Sequence, residues 1–249
     1  MDAYGDFSTV YDIFMDHTPY RKWCNLIEQL FQTYSVPKKL VLDLGCGTGT
    51  LTEMLAKKGY DMIGVDQSGE MLSIALDKKE KSGLDILYLQ QDMCNLELYG
   101  TVNAVVSSCD CMNYLLHAEE LVRTFKNVNN YLDPKGIFIF DFNTTYKYET
   151  VIGNTTIAEN RDDCSFIWEN TYHRKERINE YDLTVFVRER ETYRKFVETH
   201  YQRGYTAKQM LAYLKRAGMK VLEIMDADTG DKITQQSQRV RVVASEYGK

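Results

Sequence analysis

A glycine-rich turn between a predicted strand and a predicted helix constrains this chain most. Residues 41–49 read Val-Leu-Asp-Leu-Gly-Cys-Gly-Thr-Gly. The apolar start of this segment predicts a buried parallel strand, and the glycines predict a tight turn after it. Thr50 and Glu53 then fit a capping box ahead of an apolar helix stripe. This order predicts an open α/β sheet with a small ligand bound at the carboxyl end of its first strand.

Acidic residues accompany each of the first three predicted strands. Asp43 lies just before the glycines, and Asp66 ends the second predicted strand, where Ser68 fits a helix cap. An acidic residue at the end of a second strand is placed to accept hydrogen bonds from ribose hydroxyls. The third predicted strand, residues 84–89, is followed by Asp92 and Met93. The spacing therefore predicts a nucleoside-containing ligand.

A nicotinamide dinucleotide fits this turn poorly. The dinucleotide fingerprint needs a third glycine where this chain has Thr50, and it seats a pyrophosphate on the helix N-terminus. Asp43 would repel a pyrophosphate but would suit an ammonium group. The turn favours a ligand that carries a cationic amino-acid moiety.

The glycine turn, Asp66 and the pair Asp92–Met93 together resemble the motifs of class I S-adenosylmethionine-dependent methyltransferases. The resemblance covers roughly residues 38–142 and 205–247. It implies a seven-stranded, doubly wound Rossmann-like α/β sheet with an antiparallel last strand and a small antiparallel β insertion after strand 5. It also implies S-adenosyl-L-methionine as cofactor and S-adenosyl-L-homocysteine as product. The cofactor residues that it implies are Tyr11, Asp43, Gly45, Cys46, Gly47, Gly49, Asp66, Gln67, Asp92, Met93 and Cys109.

The domain organisation is predicted in three parts. Residues 1–37 form an N-terminal helical cover, because the Tyr-x-x-Phe-x-x-x-Tyr-Asp pattern from Tyr4 to Asp12 is similar to the opening of small-molecule methyltransferases. Residues 38–150 and 205–249 form the cofactor-binding core. Residues 151–204 form an antiparallel sheet that acts as a substrate lid, since three stretches alternate with period 2. The faces expected to be buried carry Phe166, Trp168 and Tyr172; Tyr181, Leu183, Val185 and Val187; and Tyr193, Val197 and Tyr201.

The sequence identifies no catalytic residue firmly, because methyl transfer from a sulfonium needs a base only when the nucleophile arrives protonated. The candidates for that base are Tyr114, His200 and Asp110. The candidate substrate residues are Tyr20, Arg21, Asn113, Tyr114, His200, Tyr201 and Arg203. The Asn-Pro-Pro-Tyr motif associated with amino methylation of nucleobases or glutamine is replaced here by residues 109–114, which disfavours nucleobase methylation.

Composition narrows the partners. The formal net charge is −6, and the basic clusters are interleaved with glutamates, so nucleic acid is disfavoured and a small-molecule acceptor is expected. The six cysteines show no C-x-x-C pattern, which predicts neither a metal site nor a disulfide framework. No apolar run is long enough to cross a membrane, and we expect a cytoplasmic monomer or homodimer. Two other readings stay open: a tRNA or protein methyltransferase, and a non-catalytic sensor or scaffold that binds S-adenosylmethionine.

Overall fold

The computed structural model describes residues 7–249, so Tyr4 of the N-terminal pattern lies outside the described residues. The strands are β1 (Leu40–Leu44), β2 (Asp61–Asp66), β3 (Ile86–Gln90), β4 (Val102–Ser107), β5 (Leu132–Asn143), β6 (Thr156–Asn160), β7 (Cys164–His173), β8 (Ile178–Glu189), β9 (Thr192–Arg203), β10 (Lys220–Asp226) and β11 (Arg239–Ser245). The α-helices are α1 (Ser8–Phe14), α2 (Tyr20–Thr33), α3 (Thr50–Lys57), α4 (Gly69–Ser82), α5 (Ala118–Tyr131) and α6 (Ala207–Arg216).

The central sheet has seven strands in the order β10-β11-β5-β4-β1-β2-β3. β11 pairs antiparallel with both β5 and β10, while β1 pairs parallel with β2 on one side and β4 on the other. The predicted seven-stranded sheet with an antiparallel last strand is confirmed. Because the strand order reverses between β1 and β4, their carboxyl ends open onto the crevice where such sheets bind ligands.

Apolar clusters cover both faces of the sheet. α2 and α3 pack on one face through residues such as Phe31 and Leu55, which are fully buried. α5 and α6 cover the other face, where Phe125 and Leu214 are also fully buried. In the described part of the chain, residues 7–249, the longest helices are too short or too polar to reach across a bilayer.

Helix starts follow the predicted caps with one exception. The Ser68 side chain accepts a hydrogen bond from the Met71 amide and caps α4. The predicted capping box at Thr50 is wrong. Gly49 precedes α3 in the left-handed conformation, with φ of 75°, and Thr50 is already helical. The Thr50 hydroxyl instead accepts a hydrogen bond from Lys78 Nζ at 2.9 Å.

The insertion forms a separate four-stranded antiparallel sheet in the order β6-β7-β8-β9, one strand more than the alternation predicted. On β7 and β8 the predicted buried face is confirmed for Phe166, Tyr172, Tyr181, Leu183 and Val185.

On β9 the predicted face is wrong, because Tyr193, Val197 and Tyr201 are exposed. The buried face of this strand carries Glu198, His200 and Gln202. These polar side chains are buried where they can form hydrogen bonds with neighbouring elements, and a hydrophobic pattern does not register such pairing.

The N-terminal helix α1 packs on the insertion rather than on the central sheet. Phe7, Val10 and Phe14 are buried against Phe166 and other apolar residues of β7 and β8. The rings of Phe14 and Phe166 meet edge to face, with centroids 4.8 Å apart. α1 and the insertion sheet therefore form one cover beside the carboxyl ends of the central strands.

Candidate active site

A cavity of about 190 Å³ opens at the carboxyl ends of the central strands, between the glycine turn, the ends of β2 and β3, and the loop after β4. All of the residues predicted to bind the cofactor line this cavity except Gly49. The β-α-β connections account for this convergence, because each parallel strand delivers the residue that follows it to the same edge of the sheet.

The three glycines of the turn differ in what surrounds them. Gly47 has a φ of 54° and faces open space, so the turn leaves room for a ligand there. Gly45 packs so closely on the Cys111 thiol that a Cβ would clash with it. Gly49 lies against the hydroxyl of Tyr88, which a Cβ would overlap, and it is not among the cavity residues. We therefore correct the expectation for Gly49: it permits close packing and starts α3.

Asp43 is 2% exposed and lies at the base of the cavity. Burial raises the pKa of this carboxyl group to about 7, opposed by a hydrogen bond from the Thr52 hydroxyl and aided by the nearby charge of Asp66. The Thr52 hydroxyl donates to Asp43 Oδ2 at 2.6 Å. A buried carboxyl group in this state is poised to ionise when a cation arrives.

Asp66 and Asp92 also reach the cavity from the ends of β2 and β3. Asp66 accepts hydrogen bonds from the amides of Gly47 at 2.8 Å and Ser68 at 2.9 Å, while burial raises the pKa of its carboxyl group. Asp92 accepts from the Cys94 amide at 2.8 Å. These bonds fix both carboxyl groups at the cavity wall, where they can accept hydrogen bonds from hydroxyl or amino groups of a ligand.

Three tyrosines also line the cavity. Tyr11 comes from α1, Tyr20 from α2 and Tyr114 from the loop after β4. Burial is the main cause that raises the pKa of Tyr20 far above its ordinary value, so it stays a neutral phenol. Among the described residues that line the cavity, none is Lys or Arg. This lining suits a neutral or cationic group and offers no charge partner to an anion.

Three thiols, Cys46, Cys109 and Cys111, complete the lining. Burial raises the pKa of each thiol, so they are protonated near neutral pH and are poor nucleophiles. Cys109 and Asp110 both have positive φ angles, of 62° and 51°. Consecutive strained residues of this kind concentrate at functional loops, where the surroundings hold them in place.

Asp110 does not fit the role of a free base. Its Oδ1 accepts from Arg239 Nη2 at 2.5 Å, and its Oδ2 accepts from Gln202 Nε2 at 2.8 Å. Its amide also donates to Asp141 Oδ1 at 2.8 Å. Asp110 is held in an ion pair outside the cavity lining, so we correct its listing among the candidate bases.

The predicted substrate residues divide into two groups. Tyr20 and Tyr114 line the cavity, and His200 lies buried behind Tyr114. The others do not line the cavity: Arg21 and Tyr201 are exposed, Asn113 bonds the carbonyls of Asn143 and Arg203, and Arg203 Nη1 donates to the Leu116 carbonyl. Asn113 and Arg203 join the loop after β4 to the insertion, which is a structural task.

Sequence reasoning missed a contact between α1 and the glycine turn. Asp12 Oδ1 accepts from the Thr48 hydroxyl at 2.7 Å, and Asp12 Oδ2 pairs with Lys78 Nζ of α4 at 2.5 Å. We call these three residues the Asp12 latch. The only signal in the sequence was the Tyr-Asp pair at 11–12, because Lys78 lies on the exposed side of an ordinary helix pattern.

This geometry is that of an open α/β domain that binds a nucleoside ligand between a glycine turn and the acidic ends of successive strands. Residues 41–136 match the family model described as a methyltransferase domain. A Bacillus subtilis (strain 168) protein, YqeM, which is provisionally named a methyltransferase, is 37% identical over 239 residues, which cover 95% of this chain and 94% of that protein. The chain belongs to the S-adenosylmethionine-dependent methyltransferases.

Solved structures agree with this assignment. An S-adenosylmethionine-dependent methyltransferase from Clostridium acetobutylicum ATCC 824 is 31% identical, with a TM-score of 0.90, over 99% of this chain and 100% of that one. The sugar N-methyltransferase KedS8 from Streptoalloteichus is 19% identical, with a TM-score of 0.80, over 100% of this chain and 96% of that one. The second likeness shows a shared fold.

The Asp12 latch leads to a prediction about cofactor release. Asp12→Ala should speed dissociation of S-adenosylhomocysteine about 2–5-fold, because a partly exposed ion pair contributes up to about 1 kcal/mol. Stopped-flow fluorescence measures this rate. Asp16→Ala is the matched control, since Asp16 pairs with Arg161 at 2.9 Å without touching the glycine turn. Equal rates in the two variants would show that the latch does not hold α1 over the ligand.

Proposed function

We propose that this chain transfers a methyl group from S-adenosylmethionine to a small neutral or cationic molecule by in-line displacement. The observation that carries the proposal is the composition of the cavity lining. Three carboxyl groups, the glycine turn and the tyrosines Tyr11, Tyr20 and Tyr114 line it, with no Lys or Arg among the described lining residues.

The residues present fit the cofactor. Gly47 leaves open space beside the turn, and Asp66 stands fixed at the cavity wall by two backbone amides. Asp66 would hold the ribose hydroxyls, Asp92 the adenine amino group with Met93 against the ring, and Asp43 the ammonium group. When bound, S-adenosylmethionine supplies an electrophilic methyl group on a sulfonium.

The protein's part in this reaction is to align and to exclude water. α1 lines the cavity through Tyr11 and packs on the insertion sheet, and the Asp12 latch ties α1 to the glycine turn. A tyrosine face near a cation contributes about 0.5–2 kcal/mol of attraction, which suits both a sulfonium and a protonated amine. The named activity of the structurally similar sugar N-methyltransferase supports a small polar acceptor.

Calorimetric titration with S-adenosylmethionine, S-adenosylhomocysteine and NAD tests the ligand assignment. We expect both adenosyl ligands to bind and NAD not to bind. Asp66→Asn should weaken binding by about 1–3 kcal/mol, the scale for losing a hydrogen bond to a charged group. The amide oxygen of asparagine can keep one of the two backbone hydrogen bonds that Asp66 accepts, from Gly47 or from Ser68, and urea denaturation of the variant measures the cost of losing the other. The control is Asp61→Asn, at the exposed start of the same strand.

Two binding results would contradict the ligand assignment. Unchanged affinity in Asp66→Asn would remove Asp66 from the ribose role, and binding of NAD alone would overturn the cofactor assignment. Formation of S-adenosylhomocysteine is then measured with small amines and phenols and, separately, with tRNA. Turnover with tRNA alone would contradict the small-molecule acceptor.

A further inference from the structure

We infer that Tyr114 takes the proton from the methyl acceptor and that His200 and Glu198 draw it away into the insertion sheet. The acceptor is then a molecule whose nucleophilic oxygen or nitrogen arrives with a proton, such as an alcohol, a phenol or an ammonium group. This inference rests on the proposed function and specifies its substrate class. Tyr114 is the catalytic residue, and His200 and Glu198 are positioning residues.

Tyr114 connects the cavity to a buried polar cluster. Its ring lines the cavity, and its hydroxyl lies 2.8 Å from the Tyr181 hydroxyl and 3.4 Å from His200 Nδ1. His200 is only 2% exposed. The Tyr181 ring stacks on the imidazole with centroids 4.8 Å apart and an interplanar angle of 6°, which fixes the orientation of His200.

Glu198 lies at the other ring nitrogen of His200. Its Oε2 lies 3.3 Å from His200 Nε2, and its Oε1 accepts from the Phe7 amide at 2.9 Å. A carboxylate at Nε2 favours a proton on that nitrogen and stabilises the imidazolium that forms when Nδ1 is protonated. In the relay that we infer, His200 therefore carries its proton on Nε2, and Nδ1 accepts from the Tyr114 hydroxyl.

Burying Glu198 and His200 on β9 lowers the stability of the fold, which indicates that these residues serve a function. Glu198 and His200 occupy alternate positions on β9 that the neighbouring strands fill with apolar residues. Burying a carboxylate and an imidazole is unfavourable unless each is paired with a polar or charged neighbour. Among residues 7–249, the titratable groups in contact with His200 include Glu198 on its own strand, Tyr181 on β8 and Tyr114 from the loop after β4. The amide of Phe7, just before α1, donates to Glu198.

The proton and electron movements balance. An ammonium acceptor first loses its proton, which frees a lone pair on nitrogen, whereas a hydroxyl oxygen already has one. That lone pair forms the new bond to the methyl carbon, while the carbon–sulfur bond breaks and sulfur keeps the electron pair. The acceptor proton passes to the Tyr114 oxygen as the Tyr114 proton passes to His200 Nδ1. This leaves an imidazolium on His200 beside the Glu198 carboxylate. The imidazolium later loses its proton to solvent.

Nitrogen NMR of the histidine-labelled protein with S-adenosylhomocysteine tests the relay without an acceptor. The signal missing from His200→Gln identifies His200 among the four histidines. We expect a proton on Nε2 and none on Nδ1 at pH 8, with the Nδ1 signal moved by Tyr114→Phe. Tyr193→Phe, on the exposed face of β9, should leave it unmoved. A proton on Nδ1, or no response to Tyr114→Phe, would overturn the relay.

Turnover gives a second readout, with tyramine as probe because it carries both a phenol and an amine. His200→Gln should lower kcat about 100-fold at pH 7, the usual scale for general acid–base catalysis, with unchanged affinity for S-adenosylhomocysteine. The deficit should shrink at higher pH, where more of the acceptor is already deprotonated. If His200→Gln turns over as fast as the wild type at every pH, the relay is wrong but the proposed function is unaffected. Absence of S-adenosylhomocysteine binding in the wild type would overturn the proposed function itself. If tyramine is not methylated, the nitrogen NMR measurement of the His200 tautomer tests the relay.

Discussion

Replacing Arg239 by methionine should lower the free energy of unfolding by about 3–5 kcal/mol at pH 8, the usual cost of removing one partner from a buried ion pair. Arg239 Nη2 contacts Asp110 Oδ1 at 2.5 Å, and Arg239 Nε lies 3.9 Å from Asp141 Oδ1. Its guanidinium also lies over the Trp23 ring, 5.5 Å from the centroid. Removing it leaves both carboxylates in a buried site without their ion-pair partner, with the more distant charge of Lys147 still acting on both.

The pH dependence of this loss has a definite sign. Burial already raises the pKa of Asp141, and the charge of Arg239 opposes that rise. Without Arg239 the pKa of Asp141 should rise further, so the folded variant binds a proton that the unfolded chain has lost. A raised carboxyl pKa contributes stability that disappears as pH rises, so the deficit should be larger at pH 8 than at pH 5.5.

Urea denaturation at the two pH values measures this deficit. Arg216→Met is the control, because Arg216 is half-exposed and its nitrogen lies 3.9 Å from the exposed Glu119. That substitution should change stability by less than about 1 kcal/mol. An Arg239→Met variant as stable as the control would show that Asp110 and Asp141 find other partners or water.

Local sequence was sufficient to predict that three carboxyl groups lie at one cavity. Asp43, Asp66 and Asp92 each belong to a predicted strand or to the residues just after it, and parallel strands bring their carboxyl ends to one edge. Their convergence follows from chain direction alone. The sheet order and the antiparallel β11 came from the resemblance, because no local pattern specifies which strands become neighbours.

The contacts around the cavity that join distant segments could not be predicted from the sequence. Arg239 and Asp110 are far apart in sequence, and Asp12 reaches Thr48 and Lys78 across three elements. Nothing in the spacing of charged residues predicts such pairs. On β9 the pattern was misleading, because alternating Tyr193, Val197 and Tyr201 suggested a buried face that is exposed. The buried Glu198 and His200 owe their position to hydrogen bonds, to which hydrophobic periodicity is blind.

Asp43→Asn should abolish the pH dependence of cofactor binding. Because burial raises the pKa of Asp43 to about 7, the free protein must lose a proton there before the carboxylate can face an ammonium group. Wild-type affinity for S-adenosylhomocysteine should therefore fall as pH drops below 7, approaching tenfold per pH unit. In Asp43→Asn the affinity should be about 10–100-fold lower at pH 8, from the loss of a charged partner worth about 1–3 kcal/mol, and flat between pH 6 and 8.

The same substitution should stabilise the ligand-free protein, and this opposite effect distinguishes a binding group from a structural one. A carboxyl pKa raised in the folded state means that stability is lost as pH rises through about 7. At pH 8 the ionised, buried Asp43 costs roughly 2–4 kcal/mol, which asparagine removes while its amide oxygen still accepts from Thr52. Urea denaturation should show a larger gain at pH 8 than at pH 5, with Asp85→Asn on the exposed surface unchanged at both. If Asp43→Asn is less stable than the wild type at pH 8, the carboxylate supports the fold. If Asp43→Asn is more stable and binds the ligand weakly, the carboxylate destabilises the fold and serves to bind a cation.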